Sequence, residues 1–156
     1  MISPLIIIAS ITLLIAVSIN SIFKSDYGWF NRLRRPQWLT FEWAIPFIWI
    51  FVFICGVYSA YQLWIKKPGT TETWLFMAGY LLLEVLVMAY TPVMCKLRSL
   101  RAGTIIGATG FFWGLILAVF LWPISRKSVF LLLPYLLWSP VGTYVTWEMI
   151  FLNPLD

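Results

Sequence analysis

The sequence contains no histidine, only two cysteines, and charged residues at only 11% of its positions. Without histidine it has no imidazole to act as a general base, to activate a serine or cysteine, or to ligate zinc or haem iron. The two cysteines, Cys55 and Cys95, form neither a C-x-x-C motif nor a metal-ligand cluster. In antiparallel neighbouring segments they would differ in depth by about 11 residues, or roughly 16 Å, too far for a disulfide. We therefore expect neither an enzyme nor a metal centre.

Hydrophobic residues, in contrast, occupy 62% of the 156 positions. Charge clusters and prolines divide the chain into apolar segments, each close to the roughly 20 residues that a helix needs to cross a bilayer core. These segments are residues 5–23, 43–64, 74–94, 103–122 and 128–150. No basic residue precedes the first segment and no A-x-A-like site follows it, so we interpret it as a permanent helix rather than a signal peptide. The sequence predicts one all-α membrane domain over residues 1–156, a five-transmembrane-helix bundle.

Basic residues lie in the short breaks between these segments, as membrane-flanking charges do, and this placement does not suggest nucleic-acid binding. With five crossings, the connections on the side of the C-terminus carry seven of them: Lys24, Arg32, Arg34, Arg35, Lys96, Arg98 and Arg101. The opposite side carries four: Lys66, Lys67, Arg126 and Lys127. The positive-inside rule then predicts an outside N-terminus and a cytoplasmic C-terminus, or the organellar equivalent.

Two aromatic-rich stretches contain long, specific motifs. They read WFNRLRRPQWLTFEWAIPFIW at 29–49 and LLLPYLLWSPVGTYVTWEMIFLN at 131–153. Both resemble signature regions of the TspO/MBR family, the tryptophan-rich sensory proteins that include the mitochondrial translocator protein. The matching positions are Trp29, Phe30, Leu33, Arg35, Pro36, Trp38 and Trp49 in the first stretch, and Pro134, Tyr135, Leu136, Trp138, Thr143, Tyr144, Leu152 and Asn153 in the second. Length and number of segments agree as well, so the resemblance covers nearly the whole chain.

The chain also departs from the family pattern. Leu39-Thr40 replaces the usual double proline, and Thr146 replaces the asparagine of the fifth helix. Glu84 and Val87 stand where the third helix of the family has Asn and Trp, and the aspartate of the fourth helix has no counterpart. No Lys or Arg follows Tyr144, so the cholesterol-recognition pattern is missing. These departures concern the ligand preference more than the fold.

The resemblance implies that Trp49 and Trp138 face a ligand cavity, and we place Tyr135 and the deep Trp113 with them. Flat aromatic rings suit a large planar ligand, such as a porphyrin or another tetrapyrrole. Plain packing of a membrane-buried tryptophan is the alternative for the deep positions. Four other tryptophans fall at segment ends, where an interfacial belt explains them: Trp43, Trp64, Trp74 and Trp122.

Residues 24–42 form the long first connection, which we predict to be a lid over this cavity on the cytoplasmic side. Trp29 and Trp38 supply aromatic surface there, beside Arg32, Arg34 and Arg35. The guanidinium fork can bind the propionate carboxylates of a porphyrin in bidentate fashion. Contact with anionic lipid headgroups is the alternative.

Glu84 lies at the centre of the third segment, where a carboxylate is most costly and commonly faces a cavity. It is either a protonated structural residue or a cavity acid that bonds a ligand or offers an oxygen to the magnesium of a chlorophyll-type pigment. Glu148, near the cytoplasmic end of the fifth segment, is expected to pair with a nearby arginine.

Four glycines of the fourth segment follow the spacing of close-packed membrane helices. At about 100° per residue they fall within about 60° of arc and contain two G-x-x-x-G patterns. They are Gly103, Gly107, Gly110 and Gly114. The stripe predicts either close packing within one chain or a subunit interface, such as a homodimer.

We therefore predict an integral membrane protein that binds a hydrophobic planar ligand for sensing, transport or handling. No cofactor is required, and the candidate bound molecules are a porphyrin, a chlorophyll-type pigment, or a membrane lipid or sterol. A structural accessory subunit of a larger membrane complex, with a closed or repurposed cavity, is the alternative. Family members have been linked to light-dependent porphyrin breakdown, which the resemblance implies only as a further alternative.

Overall fold

A computed structural model describes residues 3–22 and 26–154, apart from the side chain of Asn20. Within these ranges the regular structure is entirely helical and contains no strand. The helices are α1 Pro4–Ile22, α2 Tyr27–Arg32, α3 Ile45–Lys66, α4 Thr71–Leu97, α5 Leu100–Leu121 and α6 Arg126–Leu152, with a short 3-10 helix, Glu42–Ala44, before α3. The all-α fold class is confirmed.

Four of these helices are long and apolar enough to cross a membrane. They are α3 extended to Glu42, α4, α5 and α6, and their most apolar windows have mean hydropathies between 1.4 and 2.1. The apolar part of α1, Pro4–Ile19, is shorter. The chain is therefore a multi-pass membrane bundle, and the crossing by α1 stays a prediction. The predicted last residue of the first segment, residue 23, lies outside the described residues.

Polar caps explain why three helices begin earlier than hydropathy predicts. Thr70, Ser99 and Ser125 each accept a hydrogen bond from the backbone N–H three residues later. This is the usual role of an N-cap hydroxyl. The helices therefore start at residues 71, 100 and 126 rather than at the predicted 74, 103 and 128. A hydropathy profile detects the apolar run, whereas the cap starts the helix within the preceding polar residues.

The long helices pack side by side in a closed ring, which makes up the bundle. In spatial order, α1 packs on α3, α3 on α6, α6 on α5, α5 on α4, and α4 again on α1. Direct contact between α3 and α4 is slight, and α1 packs against both of them. The most extensive contacts are those of α5 with α6 and with α4. Because α3 and α4 are held apart, space remains inside the ring.

The glycine stripe is what brings α5 so close to its neighbours. Gly103 lies against Met94 of α4, and a Cβ built on Gly107 would meet the Thr143 hydroxyl of α6 at 2.5 Å. A Cβ on Gly114 would lie 2.6 Å from the Tyr135 ring. The stripe therefore packs within the chain, and this face of α5 is covered. A homodimer stays a prediction and would have to use another surface.

At each end of the bundle, a polar contact involves the segments that connect the helices. At one end, Arg98 Nη2 bonds Asp26 Oδ2 at 2.6 Å, which ties the start of the first connection to the one between α4 and α5. At the other end, Lys66 Nζ donates to the carbonyl of Ile124 at 2.8 Å. We call residues 26–42 the lid. The predicted loop is partly helical, since Asp26 caps α2 by accepting the N–H of Trp29 at 2.9 Å.

Candidate functional site

A cavity of about 490 Å³ lies inside the ring, between the lid, α3, α4, α5 and α6. Seven aromatic side chains line it: Tyr27, Phe30, Trp49, Phe53, Tyr90, Tyr135 and Trp138. Arg35 and Glu42 line it from the lid side. The structure thus brings together four of the predicted ligand-binding residues, Arg35, Trp49, Tyr135 and Trp138. We call this space the main cavity.

Aromatic rings that line the main cavity pack against other aromatic rings. The Trp49 and Phe53 centroids are 5.9 Å apart with the rings tilted by 33°. On the opposite side, Phe41 of the lid meets Trp138 edge-on at 6.3 Å. The Trp138 Nε1 atom is buried and has no hydrogen-bond partner among the described residues.

Hydroxyl groups of α4 and α6 form a more polar wall. Tyr90 bonds the hydroxyl of Thr146, the residue that replaces the family asparagine. Thr143 Oγ1 donates to the carbonyl of Ser139 at 2.9 Å, and Ser139 Oγ donates to Tyr135 Oη at 3.4 Å. Since these bonds close within the chain, this wall presents few strong polar groups to a ligand. The main cavity therefore favours a largely apolar molecule.

Arg35 is already engaged at the mouth of the main cavity. Its Nε donates to Glu42 Oε1 at 3.0 Å and its Nη1 donates to the Phe30 carbonyl at 3.1 Å. The guanidinium carbon also lies 4.1 Å from the centroid of the Phe30 ring. An anionic ligand group would therefore compete with Glu42 for this cation.

The lid is fastened to the bundle by buried residues and by α6. Trp29 and Leu33 pack in a core cluster with Met94, Cys95, Leu100 and Met149. Asn153 bonds both backbone groups of Arg34. These contacts hold the lid over the main cavity.

Five predicted ligand-binding residues lie outside the main cavity, and three of them belong to the lid. Trp29 packs from the lid into the core and is only 5% exposed, and Arg32 is exposed on α2. Trp38 is on the outer side, where its Nε1 donates to Glu148 Oε2 at 2.8 Å. The predicted pairing of Glu148 with an arginine was therefore wrong, since its hydrogen-bond partner is this indole. Trp29 and Trp38 position the lid from outside the main cavity.

Trp113 also lies outside the main cavity. It belongs to the core cluster around Leu117 and Leu121, and its Nε1 donates to the Gly79 carbonyl at 2.9 Å. This bond joins α5 to α4. Packing is therefore the role that the structure gives this deep tryptophan.

Glu84 lies in a separate, smaller pocket of about 80 Å³. Phe53, Val87 and Tyr135 line both this pocket and the main cavity, so they form the wall between the two. Glu84 is thus close to the main cavity but does not line it. We call this second space the Glu84 pocket.

Several lining residues of the main cavity were missed by sequence reasoning: Phe53, Tyr90, Ser139, Gly142 and Met149. Helical spacing carries the missing signal. Phe53 follows Trp49 by four residues on α3, and Gly142 and Met149 follow Trp138 by 4 and 11 residues on α6. Residues at such intervals share a helix face, so each matched tryptophan marks a whole stripe.

Within the described residues, no group of three or more Cys, Asp or Glu side chains lies close enough to hold a metal ion. The main cavity is lined by aromatic rings, aliphatic side chains and hydroxyls, together with one arginine–glutamate pair.

These features define a class of protein. It is a helical multi-pass membrane bundle with an aromatic cavity beneath an anchored lid. The family model of the TspO/MBR family matches residues 6–152. The chain belongs to the TspO/MBR family, as its two signature stretches predicted.

Relatives from bacteria and mammals resemble it along most of their length. The tryptophan-rich protein TspO of Bacillus cereus is 27% identical over 138 residues, which cover 85% of each chain. The tryptophan-rich sensory protein of Cereibacter sphaeroides is 24% identical over 137 residues, 86% of this chain and 82% of the relative. Translocator protein 2 of Mus musculus is 26% identical over 118 residues, 74% and 73% of the two chains.

Proposed function

We propose that this protein binds a hydrophobic planar molecule of tetrapyrrole type in the main cavity, and that the lid encloses it there. The observation that carries the proposal is the meeting of Trp49, Tyr135 and Trp138 around one space of about 490 Å³. Small-molecule sites commonly measure about 300–1,000 Å³ and are lined mostly by apolar and aromatic groups.

The chemistry of the walls supports a porphyrin-like ligand more than a flexible lipid chain. Rings of Trp49 and Trp138 offer flat surfaces for stacking. Arg35 at the mouth suits a propionate carboxylate, which would replace Glu42 as its partner.

Sensing or transport is the role that suits such a site. The relatives include a protein named as sensory and one named as a translocator protein. A closed lid above a cavity in a membrane bundle is compatible with either, since both require reversible ligand enclosure. We propose a binding rather than a catalytic role, because the main cavity is lined by rings and hydroxyls bonded within the chain.

A structural accessory subunit is the second candidate, favoured by the departures at Glu84, Val87 and Thr146. Such a protein would remain in a large assembly and would bind no planar ligand. The two candidates thus differ in a direct binding measurement.

Titration with a free-base porphyrin in detergent provides that measurement. Binding should quench tryptophan fluorescence saturably, and Trp138→Ala should weaken it by about 1.5–3 kcal/mol, the value of burying a large apolar side chain. Trp122→Ala is the matched control, because Trp122 is half exposed at the end of α5, away from the main cavity. Equal effects of the two variants, or no saturable quenching, would favour the accessory subunit.

Magnesium ligation by Glu84 is tested in the same assay. Because Glu84 is behind the wall of Phe53, Val87 and Tyr135, we expect Glu84→Gln to leave the affinities for free-base and magnesium porphyrins equally unchanged. A selective loss of magnesium porphyrin binding would assign the carboxylate to the metal instead.

We further propose that α1 is a fifth crossing, with the lid end of the bundle in the cytoplasm or its organellar equivalent. The lid end carries six of the described basic residues: Arg32, Arg34, Arg35, Lys96, Arg98 and Arg101. The opposite end carries four, Lys66, Lys67, Arg126 and Lys127. The positive-inside rule favours this orientation, in which ligands enter from the cytoplasmic side.

A further inference from the structure

The Glu84 pocket has a composition unlike that of the main cavity. It lies among α1, α3, α4 and α6 and is lined by apolar groups apart from Glu84 and the hydroxyls of Thr12, Tyr80 and Tyr135. Of the described residues that line it, none is a lysine or arginine. A charged carboxylate here would therefore have no cation to pair with.

The carboxyl group of Glu84 is incompletely bonded. Its Oε1 atom is buried and has no hydrogen-bond partner in the described structure, and Thr12 of α1 lines the same pocket. A buried charge without a partner costs far more than a buried neutral acid, and even the neutral acid needs its polar atoms bonded. The site therefore calls for a proton and for a further hydrogen-bonding molecule.

The Glu84 pocket has room for that molecule. Its volume is about 80 Å³, and one water molecule occupies roughly 30 Å³ in the liquid. Thr12, Tyr80 and Tyr135 provide hydroxyl groups on three different helices, so a water in this pocket would find polar partners on the walls around the carboxyl group. Water is thus the small molecule that best fits the chemistry of the walls.

A network of hydroxyl groups leads from this pocket toward the end of the bundle opposite the lid. Tyr80, one helical turn before Glu84, approaches Ser59 Oγ at 2.5 Å. Ser59 Oγ in turn donates to the Ser128 carbonyl at 2.6 Å. The Ser128 hydroxyl donates to Ser125 Oγ at 2.9 Å. Ser125 caps α6 directly after the connection from α5.

From this arrangement we propose that Glu84 is a proton-binding site, hydrated by water in the Glu84 pocket and reached from the end opposite the lid through Tyr80 and the serine hydroxyls. On uptake, a proton from bulk water bonds to a carboxylate oxygen, and on release it returns to water. No oxidant, reductant or other co-reactant takes part.

Any response of this pocket to pH would come mainly from Glu84, as the groups that face it show. They are Thr12 from α1, Tyr80 from its own helix and Tyr135 from α6, while α3 contributes apolar residues and Gly56. The two tyrosines are the only other titratable groups among the described lining residues. The proposal does not depend on a ligand in the main cavity, so its test is separate from the porphyrin titration.

Infrared spectroscopy of the purified protein in lipid nanodiscs tests the site. A carboxylic-acid C=O band that shifts on transfer from H₂O to D₂O is expected, and Glu84→Gln should remove it. If that variant does not fold, ¹³C labelling of glutamate in the wild-type chain identifies the band instead. Absence of a glutamic-acid band, or a band that never exchanges with solvent, would overturn the proposal.

Two tyrosine variants test the route. Tyr80→Phe should slow the deuterium exchange of the Glu84 band about tenfold, the size expected when one hydrogen-bonding group is lost from a network. Tyr58→Phe is the matched control, since this tyrosine is exposed on α3, lines neither space and should leave the rate unchanged. Equal rates in Tyr80→Phe and Tyr58→Phe would overturn the route from the end opposite the lid.

Discussion

Asn153, at the end of α6, bonds both backbone groups of Arg34 in the lid. Its Oδ1 accepts the Arg34 N–H at 2.8 Å and its Nδ2 donates to the Arg34 carbonyl at 3.1 Å. Nδ2 also donates to the Met149 carbonyl at 2.9 Å. An amide is the side chain suited to this exchange, because it offers a donor and an acceptor in one plane. The closing asparagine of the family motif thus fastens the lid to α6.

Replacing Asn153 should loosen the lid without disturbing the packing of the helices. In Asn153→Ala, the Arg34 backbone groups lose partners that are partly buried, which costs about 1–3 kcal/mol. We expect faster amide hydrogen exchange in residues 26–42, measured by mass spectrometry, and little change in α5. Asn31→Ala, at an exposed position of α2, is the control. Unchanged lid exchange in Asn153→Ala would refute the fastening role.

The start of the lid should respond to acid. The N–H of Trp29 and then the side chain of Arg98 hold the pKa of Asp26 below its ordinary value of 3.8. Because the folded-state pKa is lowered, the carboxylate stabilises the lid above 3.8, and this contribution is lost as the pH falls through the lower folded value.

Lid hydrogen exchange, compared at equal pH with Asp26→Asn, measures this effect. The asparagine still caps α2 but carries no charge for Arg98. The wild-type lid should be better protected above 3.8, and the difference should vanish in stronger acid. A difference that persists there would show that the charge is not its cause.

The surroundings of Gly114 and Gly142 predict opposite effects on stability when each glycine is replaced by alanine. Gly114→Ala would place a Cβ 2.6 Å from the Tyr135 ring, so we expect a loss of about 1–3 kcal/mol through overpacking. A Cβ at Gly142 meets nothing within 4 Å, so Gly142→Ala should be neutral or stabilising by up to about 1 kcal/mol through helix propensity. Thermal unfolding in detergent compares the two, and equal stabilities would show that α5 can move away from α6.

The sequence predicted most of the fold because hydropathy and residue spacing act locally. The four long helices follow from apolar segment length, and the close approach of α5 follows from glycine spacing along one helix. That Trp49 and Trp138 face one cavity followed from the family resemblance. The exact helix starts were not predicted, since the caps Thr70, Ser99 and Ser125 lie in polar residues that hydropathy ignores.

The rest depended on contacts between helices. Nothing local shows that Trp113 bonds the Gly79 carbonyl, that Trp38 turns outward to Glu148, or that Phe53, Val87 and Tyr135 separate Glu84 from the main cavity. Depth in the membrane indicated that Trp113 and Glu84 face the interior of the bundle, but the rotation of each helix decides which space each one faces.

Orientation is open to a direct test. In a chain with Cys55→Ala and Cys95→Ala, single cysteines at two exposed positions, Pro68→Cys and Pro154→Cys, lie at opposite ends of the bundle. A membrane-impermeant maleimide added to intact cells should label position 68, and position 154 only after permeabilisation. The reverse pattern would invert the proposed side of ligand entry.

Ligand binding in the main cavity is tested most directly by filling each of the two cavities in turn. Gly142 lines the main cavity and Gly56 lines the Glu84 pocket, and a Cβ at either position meets nothing within 4 Å. Porphyrin titration of Gly142→Leu and Gly56→Leu therefore compares equal additions of volume. We predict at least about tenfold weaker binding, equivalent to 1.4 kcal/mol, for Gly142→Leu and unchanged binding for Gly56→Leu. Wild-type affinity in Gly142→Leu, with both variants folded, would contradict the account.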